Sequence, residues 1–104
     1  MLQFEIWRLN PTGKAKATTQ LVVILQHPRL HDLDTTVVAP LRPASELPAI
    51  GRLRPELLLT RKRYRVVVDR LSVIKKSALV ELVGSAVEIA DSIKRATDQL
   101  LFGN

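Results

Sequence analysis

The chain has no cysteine and only four aromatic residues among its 104 positions, Phe4, Trp7, Tyr64 and Phe102. The first absence excludes disulfides and thiolate metal sites and suits a reducing compartment. The second leaves little for the aromatic stacking on which single-stranded nucleic acid is held. Histidine is confined to His27 and His31. A Ser-His-Asp arrangement therefore has little to draw on, and Pro28 opposes a regular helix that would set both imidazoles on one face. That stretch is expected to be a solvated loop, with no metal site. The glycines stand apart at positions 13, 51, 84 and 103, so no phosphate-cradling loop is present and no cofactor is expected. No apolar run approaches the roughly 20 residues that span a bilayer. Met1-Leu2-Gln3-Phe4-Glu5 lacks the basic start and apolar run of a signal peptide. The expectation is one domain, residues 1–104, away from membranes.

What is present is short apolar segments. Residues 4–9 alternate, with Phe4 and Ile6 opposed to Trp7 and Leu9, and predict a first strand covered on both faces. Leu21-Val22-Val23-Ile24-Leu25 is branched, apolar and too short for a typical helix, so it predicts a central strand. Residues 36–41 predict a third, with Pro40 placing that end at an edge or leaving the sheet. Residues 42–51 hold Pro43, Pro48 and Gly51 and read as a long connection with a short helical turn at 44–47. Residues 56–60 and 64–68 flank Arg61-Lys62-Arg63 as a hairpin with a basic tip. Residues 71–74 are a short apolar segment, and residues 78–83 a last strand. About six strands followed by one helix predict a mostly β chain: a small, largely antiparallel barrel or curled sheet with a C-terminal helix packed against it.

The helix is expected over residues 85–104. Gly84 would let the chain turn, and Ser85-Ala86-Val87-Glu88 fits a capping box. Ile89, Ile93, Ala96 and Leu100 line one face, and Asp91 and Arg95 stand as an i, i+4 ion pair. Gly103 allows the helix to stop. Phe102 either packs the last turn or serves a partner. The net charge is +6, and nine of sixteen Lys and Arg fall between Arg52 and Lys76, opposed only by Glu56 and Asp69. Such a patch suits phosphates or an acidic protein, or it simply solvates the hairpin and guards its edge.

The order of these segments resembles a known family. Gln3-Phe4-Glu5-Ile6, Leu21-Val22-Val23, Leu33-Asp34-Thr35-Thr36-Val37-Val38-Ala39-Pro40-Leu41, Pro55-Glu56-Leu57, Arg63-Tyr64, Val83-Gly84-Ser85 and Leu100-Leu101-Phe102-Gly103 occur in the order and spacing of the CcdB toxins of bacterial toxin–antitoxin modules. The resemblance implies an SH3-like barrel, a homodimer and a cytoplasmic protein without enzymatic activity. It implies binding to the A subunit of DNA gyrase and trapping of the cleaved-DNA complex, neutralisation by a CcdA-like antitoxin, operator DNA bound only through the antitoxin complex, and a part in plasmid maintenance. The family's gyrase contacts centre on a terminal Trp-Gly-Ile. The matching positions here are Phe102, Gly103 and Asn104: the aromatic and the glycine persist in kind, and an amide replaces the final apolar residue.

Ile6-Trp7-Arg8-Leu9-Asn10-Pro11-Thr12-Gly13 and residues 37–41 also look like the MazF/PemK endoribonucleases of the same superfamily. Those carry an acidic residue and an Arg-Pro pair in and after the first loop. Residues 14–21 here have neither, which removes the group expected to stabilise charge on a transferring phosphoryl.

Overall fold

The computed structural model describes residues 2–10, 20–30 and 32–103. Among these, seven strands form a single antiparallel sheet: β1 (Glu5–Leu9), β2 (Leu21–Ile24), β3 (Thr35–Pro43), β4 (Glu56–Leu59), β5 (Lys62–Val66), β6 (Ser72–Lys75) and β7 (Leu79–Ser85). One helix, α1 (Ala90–Phe102), follows. The strand order is β4-β5-β3-β2-β1-β7, with β6 on β3. The apolar segment at 71–74 is thus a seventh strand beyond the six expected. The expected mostly β architecture with a C-terminal helix is what the chain adopts.

Alternation along β1 works as its sequence implies. Ile6 pairs with Val23 and Val23 with Ala39, and all three are fully buried on the face that α1 covers. Trp7 pairs with Val22 on the opposite face, where Val22, Ile24 and Val38 form a second apolar cluster backed by Leu9, Ile74 and Leu79. Both faces being covered explains why β2 is apolar at every position. The sheet curls into a half-barrel whose outer strands β4 and β7 approach through a side chain without pairing. A Cβ on Gly84 of β7 would lie 3.2 Å from Leu59 Cδ1 of β4.

Several expectations need correcting. Gly84 and Ser85 neither turn the chain nor cap the helix; they end β7, paired with Ile6 and Glu5. A 3-10 turn, Val87–Ile89, intervenes, and α1 starts at Ala90 without a side-chain cap. The Ser85 hydroxyl instead accepts a hydrogen bond from Val87 N–H at 3.2 Å. Pairing with β1 satisfies more backbone groups than an early helical turn would, and so prevails.

Pro40 lies inside β3, not at its end. In an antiparallel strand a residue's N–H and C=O point to the same side. The Pro40 carbonyl accepts from Val67 N–H at 2.9 Å, so its missing donor faces the junction where β6 gives way to β5 as the neighbour of β3. No ladder bond is lost there. In place of a helical turn at 44–47, a tight turn closes with Glu46 N–H donating to the Pro43 carbonyl at 2.9 Å.

The basic hairpin is tighter than its sequence suggests. Leu59 pairs with Lys62, so only Thr60 and Arg61 make the turn. Both have positive φ, 48° and 66°, the requirement of the twist-compatible two-residue hairpin. Phe4 also has positive φ, 70°. Its N–H donates to Ile24 and its carbonyl accepts from Ala86 N–H, both at 2.7 Å. These two bonds hold an aromatic residue in a conformation it would otherwise avoid, and they tie the residue before β1 to the foot of the helix.

Candidate functional site

α1 is fixed at its middle and free at its end. Ile93 and Ala96 are buried against the sheet with Phe4, Val68 and Ala86, and Ile89 and Ala90 pack beside them. Thr97 Oγ1 donates back to the Ile93 carbonyl at 2.9 Å. Lys94 Nζ sits 5.9 Å from the centre of the Phe4 ring, a cation–π contact of about 0.5–1 kcal/mol. The buried stripe ends earlier than the spacing implies: Leu100, expected on the same face as Ile93 and Ala96, is exposed, because the sheet beneath the helix no longer covers that turn.

Beyond Leu100 the last two helical residues face solvent. Leu101 is 58% and Phe102 72% exposed. Phe102 thus does not pack the last turn, contrary to one of the two sequence readings. Gly103 adopts φ 73°, the left-handed cap that glycine takes without penalty, and its N–H donates to the Gln99 carbonyl at 3.0 Å. Asn104 lies outside the described residues. Leu101 and Phe102 thus form an exposed apolar end on a helix anchored at Ile93 and Ala96, with Gly103 directly after it.

Two features seen as one basic patch in the sequence separate in space. Arg54 is 6% exposed and makes a forked pair with Asp69, both bonds 3.0 Å, while its third nitrogen donates to the Pro48 carbonyl at 3.2 Å. The hydrogen bonds from Arg54 hold the Asp69 carboxyl below the usual carboxylate range. Arg65 donates to the Leu47 carbonyl at 2.9 Å, and Glu56 takes Arg63 at 2.9 Å and Arg65 at 3.7 Å. Arg54 and Arg65 are thereby structural. The i, i+4 pair of Asp91 and Arg95 is not formed; Arg95 turns toward a cleft beside the 44–55 connection.

On the outer face of the sheet a cleft of about 380 Å³ is lined by Gln20, Arg42, Arg70 and Ser72 over a floor of Val22 and Val38. No carboxylate or imidazole is among its described lining residues. His27 is spent locally, its Nδ1 accepting from Arg29 N–H at 3.1 Å beside the 3-10 turn Pro28–Leu30. His31 and residues 14–19 of the first loop lie outside the described residues. Among the described residues no group of three His, Cys, Asp or Glu is placed to hold a metal ion, and no helix is long and apolar enough to cross a membrane.

Residues 3–103 match the family described as CcdB protein. No curated protein matches the chain. Among solved structures, an endoribonuclease in complex with its cognate antitoxin from Mycobacterial species superposes with a TM-score of 0.76 at 13% identity, over 97% of this chain and 94% of that one. The Mycobacterium tuberculosis toxin MazF-mt6 gives 0.74 at 14% identity, over 92% and 94%. At such identities the likeness is one of fold.

Proposed function

The chain belongs to the CcdB family, toxins of toxin–antitoxin modules, and from that premise we propose that it poisons DNA gyrase by binding the A subunit of that enzyme and trapping the cleaved-DNA complex. The observation that carries this is the apolar tip. A phenylalanine that keeps 72% of its surface in water, at the end of a helix anchored by Ile93 and Ala96, is an anchor without a pocket of its own. A rigid mount lowers the ordering cost of binding, and exposed aromatics are what interface hot spots are made of. Phe102 stacks on or inserts into the gyrase surface, Gly103 lets the backbone approach closely, and Asn104 is a polar residue where the family's best-known members have an apolar one.

The acting species in this proposal is a homodimer in the cytoplasm. Val80, Leu82 and Val87 are exposed on and just after the edge strand β7, an apolar surface suited to a second copy. A CcdA-like antitoxin neutralises the toxin, and operator DNA is engaged only through that complex, in the service of plasmid maintenance. The antitoxin-bound endoribonuclease of the same fold supports such a partner.

The test is a plasmid-cleavage assay with purified gyrase and ATP, comparing the full chain with one lacking residues 102–104. Linear DNA trapped by the full chain and lost with the truncation is the expected result. Equal trapping by both would overturn the role of the tail, and no trapping by either would overturn the gyrase reading.

A second reading, ribonuclease, is favoured by the fold of the endoribonuclease relatives and by Arg42 and Arg70 at the outer cleft. Proton transfer from a ribose hydroxyl needs a base within reach, and the described lining offers none. Mixed-sequence RNA incubated with the protein should stay intact; its cleavage, abolished by Arg42→Ala, would reverse the order of the two readings.

A further inference from the structure

A second cleft, of about 430 Å³, opens between α1 and the 44–55 connection, lined by Gly51, Arg52, Pro55, Glu56, Ser92 and Arg95. That size falls within the range of small-molecule sites. Its chemistry is lopsided. Arg52 and Arg95 make no ion pair or side-chain hydrogen bond among the described residues, and the Ser92 hydroxyl is also unengaged there. The one carboxylate in the described lining, Glu56, is already compensated by Arg63 and Arg65. Two guanidinium groups and a hydroxyl thus share a cleft whose anion is neutralised from outside it.

The elements presenting these groups are independently fixed. Arg95 and Ser92 ride on α1 beside the buried Ile93 and Ala96. Arg52 follows Gly51, whose φ of 51° starts a turn closed by Leu53 N–H donating to the Ile50 carbonyl at 2.9 Å. The connection carrying that turn is pinned by the Arg54 fork on Asp69, by Arg54 on the Pro48 carbonyl and by Arg65 on the Leu47 carbonyl. A buried ion pair is a costly way to hold a surface connection; here it holds the turn carrying Arg52 against the cleft that Arg95 also lines.

We propose that this cleft binds a phosphoryl group, free or esterified. Two guanidinium forks and a hydroxyl call for three acceptor edges. A tetrahedral phosphoryl group presents three oxygens, whereas a carboxylate presents two. The volume left over accommodates an esterified group. The assignment does not depend on the tail or on gyrase.

The experiment is an amide-resolved NMR titration of the full chain with inorganic phosphate, with a nucleoside 5′-monophosphate, and with acetate at matched ionic strength. Saturable shifts are expected at Gly51, Arg52, Ser92 and Arg95 with the two phosphates and not with acetate. Binding of the nucleotide should strengthen from pH 5 to pH 7, as its phosphate passes a second ionisation at about pH 6. Arg52→Gln and Arg95→Gln, both at exposed positions, should each weaken binding about tenfold or more. Equal constants for the two phosphates identify the free anion as ligand and a tighter constant for the nucleotide an ester, and either supports the site. Binding undiminished in the Arg52→Gln/Arg95→Gln double variant, shifts centred on the Arg61 hairpin turn, acetate binding as well as phosphate, or no saturation in the millimolar range would overturn it.

Discussion

Replacing Phe102 by alanine should disarm the protein while leaving its fold nearly untouched. Burying a large apolar side chain is worth about 1.5–3 kcal/mol. Phe102 keeps 72% of its surface exposed, so less than a third of that, about 0.4–0.8 kcal/mol, is at stake in folding. For a chain of this size 1 kcal/mol moves the melting temperature by about 4–8 °C, which gives a shift of about 2–6 °C. Ile93, earlier on the same helix, is the control. It is 1% exposed in the core, and Ile93→Ala should cost about 2–5 kcal/mol, a drop of about 8 °C or more, or outright unfolding. Binding should show the reverse contrast. An aromatic hot spot contributes about 2 kcal/mol or more, so Phe102→Ala should weaken gyrase trapping at least about 30-fold. Calorimetric melts at two protein concentrations, beside the cleavage assay, make the comparison. A melting loss for Phe102→Ala as large as for Ile93→Ala, the same at both concentrations, would refute the reasoning, because the ring would then be packed within its own chain.

Other outcomes follow from the same geometry. Asp69 titrates below the ordinary carboxylate value of about 3.9 because Arg54 bonds its charged form, so its stabilising contribution is complete above that value and vanishes as pH falls through the folded-state pKa. The melting temperature of Asp69→Asn should therefore lie below that of the wild type at pH 7, and the gap should shrink as pH drops below about 4; a gap independent of pH would show that the pair contributes nothing through charge. Gly84→Ala places its methyl 3.2 Å from the movable tip of Leu59, and denaturant melts should show a loss under about 1 kcal/mol. Light scattering should give about twice the chain mass of 11.6 kDa; a monomer at every concentration would remove the dimer from the proposal.

The parts of the fold legible in the sequence are those decided locally. The branched runs of β2 and β3, the alternation of β1 and the spacing of Ile89, Ile93 and Ala96 each carry their own period, and each element forms. What the residues conceal is decided by distant partners. Gly84-Ser85 has the chemistry of a turn and a cap, yet Glu5 and Ile6 claim it for the sheet. Pro40 reads as an edge until the replacement of β6 by β5 beside it is known. The positive φ of Phe4 has no sequence signal, because bonds to Ile24 and Ala86 impose it. The tail is only half legible: the residues mark Phe102 as an aromatic beyond the apolar stripe but leave open whether it packs the last turn, and only the fold shows it exposed. The Arg52–Arg95 cleft is not, since its two arginines meet only through the tertiary fold, and counting charges merges Arg52 with Arg54 although only Arg54 is buried.

The pairing of β1 with β7 joins the first strand to the last. During synthesis β1 emerges early and meets β2 soon after, but its other neighbour does not exist until residue 85 has been added. The helix foot needs the Phe4 carbonyl as well as Ala86, so the mount for Phe102 assembles only when both of those distant segments are free to meet. Contacts so far apart along the chain also form slowly. A ribosome-bound fragment that stops short of β7 presents an open edge on β1 and no tip at all. The tip therefore gains its mount only once β1 and β7 have both been made and have paired.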